Sequence, residues 1–176
     1  MMGPWKEAAV EEPELAGASV YLETTVIGYL TSWPSRDIVV AARQQLTHQW
    51  WQEERHRYRV LISPYVVEEA QGGDPSAAEE RLRVVEQLEL LEPPPGIVLL
   101  AEKIQSALHI PLKAKMDAFH LAFAVHYELD YLLTWNCVHL ASAPRLRLLA
   151  DFLKTEALWL PIVCTPAEMV EQGEET

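Results

Sequence analysis

Apolar positions along the chain fall into two kinds of run. Short β-favouring clusters, SVYLE from Ser19, RVLIS from Arg59, YLLT from Tyr131 and LPIVC from Leu160, alternate with longer segments whose apolar residues recur every three or four positions. The first kind predicts strands and the second amphipathic helices. After SVYLE, Thr24 or Thr25 can cap a short helix, VIGYL, which Pro34 ends. From about residue 37 to 56 the pattern is helical again, with Val39, Ala42, Leu46 and Trp50 predicted to face inward. Ser63 with Pro64, and Asp74 with Pro75, are helix starts, because proline at the first helical position loses no needed N–H. The first of these helices carries Glu68 and Glu69 and stops at Gly72 and Gly73; the second runs to about Leu88. EPPPG resets the chain before a helix from near Ile97 to Leu108. Another helix starts near Pro144, and Thr165, Pro166 and Glu168 form a capping box on a last short one.

The segment PLKAKMDAFHLAFAVHYELDYLLTWN fixes a geometry. Ala118, Leu121, Ala122 and Val125 recur with helical period, and Asp130 separates this helix from the strand Tyr131 to Thr134. The connection is short, so helix and strand run antiparallel. About 12 helical residues and about five extended ones both span roughly 17–18 Å. Asp117, at the helix start, therefore returns to the carboxyl end of the strand, near Asn136. Strands alternating with helices predict an α/β fold with a mostly parallel sheet covered on both faces, whose ligands bind beyond the carboxyl ends of the strands. Glu23 ends the first strand, Glu69 lies in the helix leaving the second, Asp117 starts the helix before the next clear strand, and Asn136 follows that strand. Three acids and an amide are predicted to meet at one edge.

Size and charge bound what this edge can do. With 176 residues, 49% of them hydrophobic, one core and a single domain over 18–170 are expected, with an acidic, proline-containing tail at 1–17 and a short tail at 171–176. No apolar run approaches the roughly 20 residues of a membrane helix, and the N-terminus has no signal-peptide pattern, so a cytoplasmic protein with no membrane contact is expected. Cys137 and Cys164 form no C-x-x-C pair and are expected to stay reduced. A net charge of -12 disfavours broad nucleic-acid binding through phosphates. Arg36, Arg43, Arg55, Arg57 and Arg59, with Lys113 and Lys115 just before Asp117, leave room for a local basic rim; solvated helix faces are the alternative.

Crowded carboxylates repel one another unless a cation neutralises them, and Mg2+ is commonly held by a few carboxylates, waters and substrate phosphate. Such an ion can polarise a phosphodiester and activate water, so metal-assisted hydrolysis is the predicted reaction class. VYLETTVIGYL, LISPYVVEEA and DAFHLAFAVHYELDYLLTWN, with the spacing between them, resemble PIN-domain ribonucleases, especially the VapC toxins of bacterial toxin–antitoxin pairs. The resemblance spans about residues 19–165. It implies a three-layer α/β/α sandwich, Mg2+ or Mn2+ as cofactor, endoribonuclease activity on RNA, homodimers, and inhibition by a cognate antitoxin protein. Carried over by position, the family acids fall on Glu23, Glu69 and Asp117 as metal ligands, while Asn136 stands where a fourth Asp is usual. Glu23 is one methylene longer than the usual Asp. One charge fewer predicts weaker binding of a second ion, with Asn136 still able to coordinate through its carbonyl oxygen or orient a water.

Each residue also has a plainer role. Glu23 and Asp117 can serve helix N-termini, Glu69 can be a solvated helix residue, His120 a hydrogen-bonded core histidine, and His139 with Cys137 a structural pair. Trp50, Trp51 and Trp135 can stack on bases, but core or interface positions are the commoner use. A PIN fold that has lost catalysis and serves as an RNA- or protein-binding module is the alternative function, and a small-molecule phosphohydrolase a third.

Overall fold

β-branched and aromatic residues at Ala18–Leu22 make the first strand, β1, whose last three residues are buried. In the computed structural model, which describes residues 17–170, β1 is the centre of a five-stranded sheet of order β3-β2-β1-β4-β5 in which every pairing is parallel. Both expected tails, apart from Gly17, lie outside the described residues. The other strands are β2 (Tyr58–Ile62), β3 (Glu89–Leu90), β4 (Tyr131–Leu133) and β5 (Ile162–Cys164). Parallel neighbours need crossovers, and helices supply them. α1 (Thr24–Thr31) and α2 (Ile38–Gln49) join β1 to β2, and α3 (Pro64–Ala70) and α4 (Pro75–Val85) join β2 to β3. α5 (Ile97–Ala107) and α6 (Lys115–His126) lead to β4, α7 (Ala143–Thr155) leads to β5, and α8 (Pro166–Met169) follows. The result is an α/β fold with the arrangement of a three-layer α/β/α sandwich. No helix among the described residues is long and apolar enough to cross a membrane.

The order of the strands matters for the site. From β1 the chain winds outward through β2 to β3, then returns to the other side of β1 as β4 and continues to β5. The reversal opens a crevice at the carboxyl ends of β1 and β4. At the opposite ends, Asp130 ties the two strands together: its carboxylate accepts from the Ser19 backbone N–H at 2.7 Å and hydroxyl at 2.8 Å. The core lies on both faces of the sheet and includes Tyr21, Leu22, Leu61, Ile62, Leu132 and Leu133, with Trp50, Ile104, Leu121 and Phe123 from the helices.

Several local expectations are corrected. Asp37 caps α2 as its carboxylate accepts from Val39 and Val40, but Val39 is 57% exposed and Ala42 is exposed as well. Of the expected four, Trp50 is buried and Leu46 packs against the core, and they are joined by buried Gln44 and Thr47. Gln44 is buried because its amide satisfies loop groups, donating to the Ser32 and Trp33 carbonyls and accepting from Ser35 N–H. The helix is also not continuous to residue 56, since Trp50–Glu54 is π-helical and Arg55–Arg57 a 3-10 turn. α4 ends at Val85, three residues earlier than expected, and frees Glu89 and Leu90 to pair with Leu61 and Ile62. Cys137 is exposed and Cys164 buried, both free thiols, and burial pushes the Cys164 thiol up to about 12.

α6 ends without glycine. Glu128 takes φ 50°, and the N–H groups of Glu128 and Leu129 donate to the carbonyls of Val125 and Ala124, a Schellman closure with buried Leu129 against the core. A left-handed non-glycine residue costs about 1 kcal/mol. Glu128 is exposed, so Glu128→Gly is expected to raise stability by about 0.5–1 kcal/mol, read as a higher urea midpoint at unchanged slope.

Candidate metal centre

The β1–β4 ladder delivers the first acid. Glu23 N–H donates to the Leu133 carbonyl at 3.0 Å, which carries the pairing one residue past the strand and sets Glu23 in the crevice. Its side chain is only 3% exposed. Glu23 occupies the N-cap of α1 but makes no side-chain cap, and neither threonine caps the helix as expected. Both hydroxyls serve the acids instead. Thr25 and Thr134 donate to Glu23 Oε2, the latter at 2.7 Å, and Thr24 donates to Glu69 Oε2. The threonines are in turn fixed, since Trp135 N–H donates to Thr25 Oγ1 and Asn136 N–H to Thr134 Oγ1, each at 2.9 Å.

Glu69 comes from α3, whose Glu68 points to solvent. Glu69 Oε2 lies 2.9 Å from Nε2 of His120, which is fully buried on α6 one turn after Asp117. His120 Nδ1 lies 2.8 Å from the Tyr21 hydroxyl, itself 2.6 Å from Ser63 Oγ. Glu23, Glu69 and His120 each offer one ligand atom, and these atoms lie within 4.8 Å of one another, close enough to share an ion.

Asp117 stands beside this group rather than in it. Its Oδ1 accepts from Asn136 Nδ2 at 3.0 Å, while Asn136 Oδ1 accepts from His139 N–H at 3.0 Å. The helix-and-strand argument thus brings Asp117 to Asn136 although β4 has only three residues, because Asn136 lies three residues beyond its end. Of the expected metal set Glu23, Glu69 and Asp117, the first two meet within reach of one ion. The third partner in that group is His120, which the sequence reading took as a hydrogen-bonded core histidine. It is that too, and DAFH on the helix after PLKAK was the signal for it.

The electrostatics reflect the crowding. Burial raises the Asp117 carboxyl, the Glu23 charge adds to this, and His120, His139 and the Asn136 hydrogen bond only partly oppose it. Burial would also raise Glu69, but the hydrogen bond and charge of His120 and the Thr24 hydroxyl outweigh it and lower its pKa. For His120, burial disfavours the charge, yet Glu69, Glu23 and Asp117 together raise its pKa. Burial first of all raises Tyr21 well above the usual tyrosine value and keeps its hydroxyl protonated.

The expected basic rim is partly consumed within the fold. Arg57 pairs with Glu54 and Arg59 with Glu89, Arg55 lies over Trp51, and Arg43 bonds the Tyr29 hydroxyl and lies over Trp135. Lys113 and Lys115 are exposed beside the start of α6. Trp50 and Trp135 are core residues, with Trp135 Nε1 donating to Thr47. No family model and no curated protein matches the chain.

Proposed function

We propose that the protein is a metal-dependent endoribonuclease of the PIN type, the toxin of a toxin–antitoxin pair. The observation that carries this reading is the convergence of a buried carboxylate, Glu23, and a partly buried one, Glu69, with Asp117 and Asn136 beside them, at the carboxyl edge of a parallel sheet. The donor set fits a divalent ion: two carboxylates and an imidazole within one ion's reach, buried where unneutralised charge is costly. Glu23 and Glu69 would hold the ion, and once bound it supplies Lewis acidity toward a phosphodiester and activates water. Thr24, Thr25 and Thr134 hold the carboxylates in place before substrate arrives. Asp117, beside this group, would accept a proton from the attacking water, and Asn136 Nδ2 orients its carboxylate. Lys113 and Lys115 supply positive charge for RNA phosphates at the rim of an otherwise acidic protein. A second copy or an antitoxin would cover apolar surface such as exposed Trp159, Leu160 and Ile162.

Purified protein with Mg2+ or Mn2+ is expected to cut RNA internally, to stop on chelation, and to lose cutting in Asp117→Asn. Unchanged cutting in that variant refutes the assignment. The competing reading, a PIN-like binding module without catalysis, draws on Asn136, whose amide is spent on Asp117 and adds no charge. RNA binding with no divalent-ion heat in calorimetry would favour it.

A further inference from the structure

Resting on the metal-dependent reading above, we infer that His120 is itself a ligand through Nε2, and that the centre therefore selects a first-row transition ion such as Mn2+ over Mg2+. The argument begins with the two faces of the imidazole. Nδ1 is 2.8 Å from the Tyr21 hydroxyl, and that hydroxyl is 2.6 Å from Ser63 Oγ. In the metal-free protein Nε2–H donates to Glu69 Oε2; when Tyr21 donates to Ser63, its oxygen is free to accept a proton at Nδ1, the tautomer that would leave the Nε2 lone pair to an ion. Ligating histidines are held in this way, with the second ring N–H given to a fixed acceptor that sets tautomer and orientation.

Nε2 and Glu69 Oε2 face each other at 2.9 Å. The Nε2 proton bridges them in the metal-free protein, and an ion bound here would take its place. Ligand atoms about 2.1 Å from an ion on adjacent corners of an octahedron are about 3 Å apart, so the observed spacing matches two adjacent ligands once the proton between them is lost and the two groups turn toward the ion. Glu23 completes the set within 4.8 Å, held by two threonine hydroxyls from the opposite side. His120 is fully buried, so the hydrogen bond to Glu69, not bulk water, is what an ion would displace at Nε2. The donor chemistry then decides the ion. Carboxylate oxygen suits Mg2+ and Mn2+ alike, while an added imidazole nitrogen shifts the preference toward first-row transition ions, of which Mn2+ is the weakest binder and the spectroscopic probe.

The test is pulsed electron paramagnetic resonance of the full chain loaded with Mn2+ alone, which detects nitrogen bonded to the ion without any turnover. Wild type is expected to show coupling to one imidazole nitrogen, absent in His120→Gln. Mn2+ affinity should fall more than about tenfold in His120→Gln and about tenfold in Tyr21→Phe, which removes the acceptor behind Nδ1. Mg2+ affinity should change less than about threefold. Bound Mn2+ without nitrogen coupling in wild type, or coupling that persists in folded His120→Gln, overturns the inference and leaves the nuclease reading intact. No Mn2+ binding at all overturns both. The wild-type spectrum decides even if the variants fail to fold.

Discussion

Exchange of Glu23 for glutamine is expected to lower divalent-ion affinity by about a hundredfold or more while leaving metal-free stability within about 1 kcal/mol of wild type. Losing a residue that only orients a ligand already costs about 10–100-fold in metal affinity, so losing a charged ligand falls at or beyond the upper end. The stability side follows from the local bonds. Oε2 of Glu23 accepts from Thr25 and Thr134, and a glutamine carbonyl oxygen in the same place accepts from both. The removed charge had opposite effects nearby, disfavouring ionised Asp117 and favouring protonated His120, and these partly cancel. Calorimetric titration with Mn2+ and urea unfolding in chelator measure the two quantities separately. A variant that binds the ion as wild type does would remove Glu23 from the centre.

The largest loss of stability is expected from Phe123→Ala, about 3–5 kcal/mol. Phe123 is fully buried on α6 beneath the sheet, one turn after His120. Its ring meets Tyr65 edge-on at 5.8 Å, stacks on Tyr127 at 6.3 Å and lies 6.4 Å from Tyr21, the residue behind His120. Truncation leaves a cavity that three other large rings cannot fill without moving the helix. Set against a total of about 5–15 kcal/mol, this shifts the melting temperature by roughly 6–20 °C. Thermal unfolding followed by circular dichroism gives the value. Val39→Ala, outside the core, is the matched control and should change stability by less than about 0.5 kcal/mol. A loss at Val39 comparable to that at Phe123 would contradict the packing.

The legible parts of the fold were those where burial and pattern agree. β1, β2, β4 and β5 each carry buried residues in a β-favouring run, and the alternation of strands with helices gave the parallel sheet. β3 was hidden because its two residues are exposed, held by backbone pairing and by the Arg59–Glu89 ion pair at the surface. The inward face of α2 was misread for a related reason: Gln44 and Thr47 are buried for their hydrogen bonds, while apolar Val39 and Ala42 stay outside. At the site, Glu23 and Glu69 followed from strand ends, and Asp117 with Asn136 from a length argument. Thr24 and Thr25 looked like caps because a hydroxyl after a strand usually is one. The bond of Thr24 depends on Glu69 of α3, which sequence spacing does not bring into view, while Thr25 bonds Glu23 two residues back and is oriented by Trp135 N–H just beyond β4.

The position of β1 bears on how the protein comes into being. Its neighbours arrive late, β2 some way downstream and β4 only where residues 111 positions apart in the chain, such as Glu23 and Thr134, finally touch. Local hairpins cannot nucleate such a sheet, and long loop closures precede every pairing. On the ribosome, where a chain grows from its N-terminus, Glu23 is made early but lacks Thr134 and the Leu133 carbonyl until more than a hundred further residues have been added. The centre therefore assembles only once β4 and the residues just after it have been made.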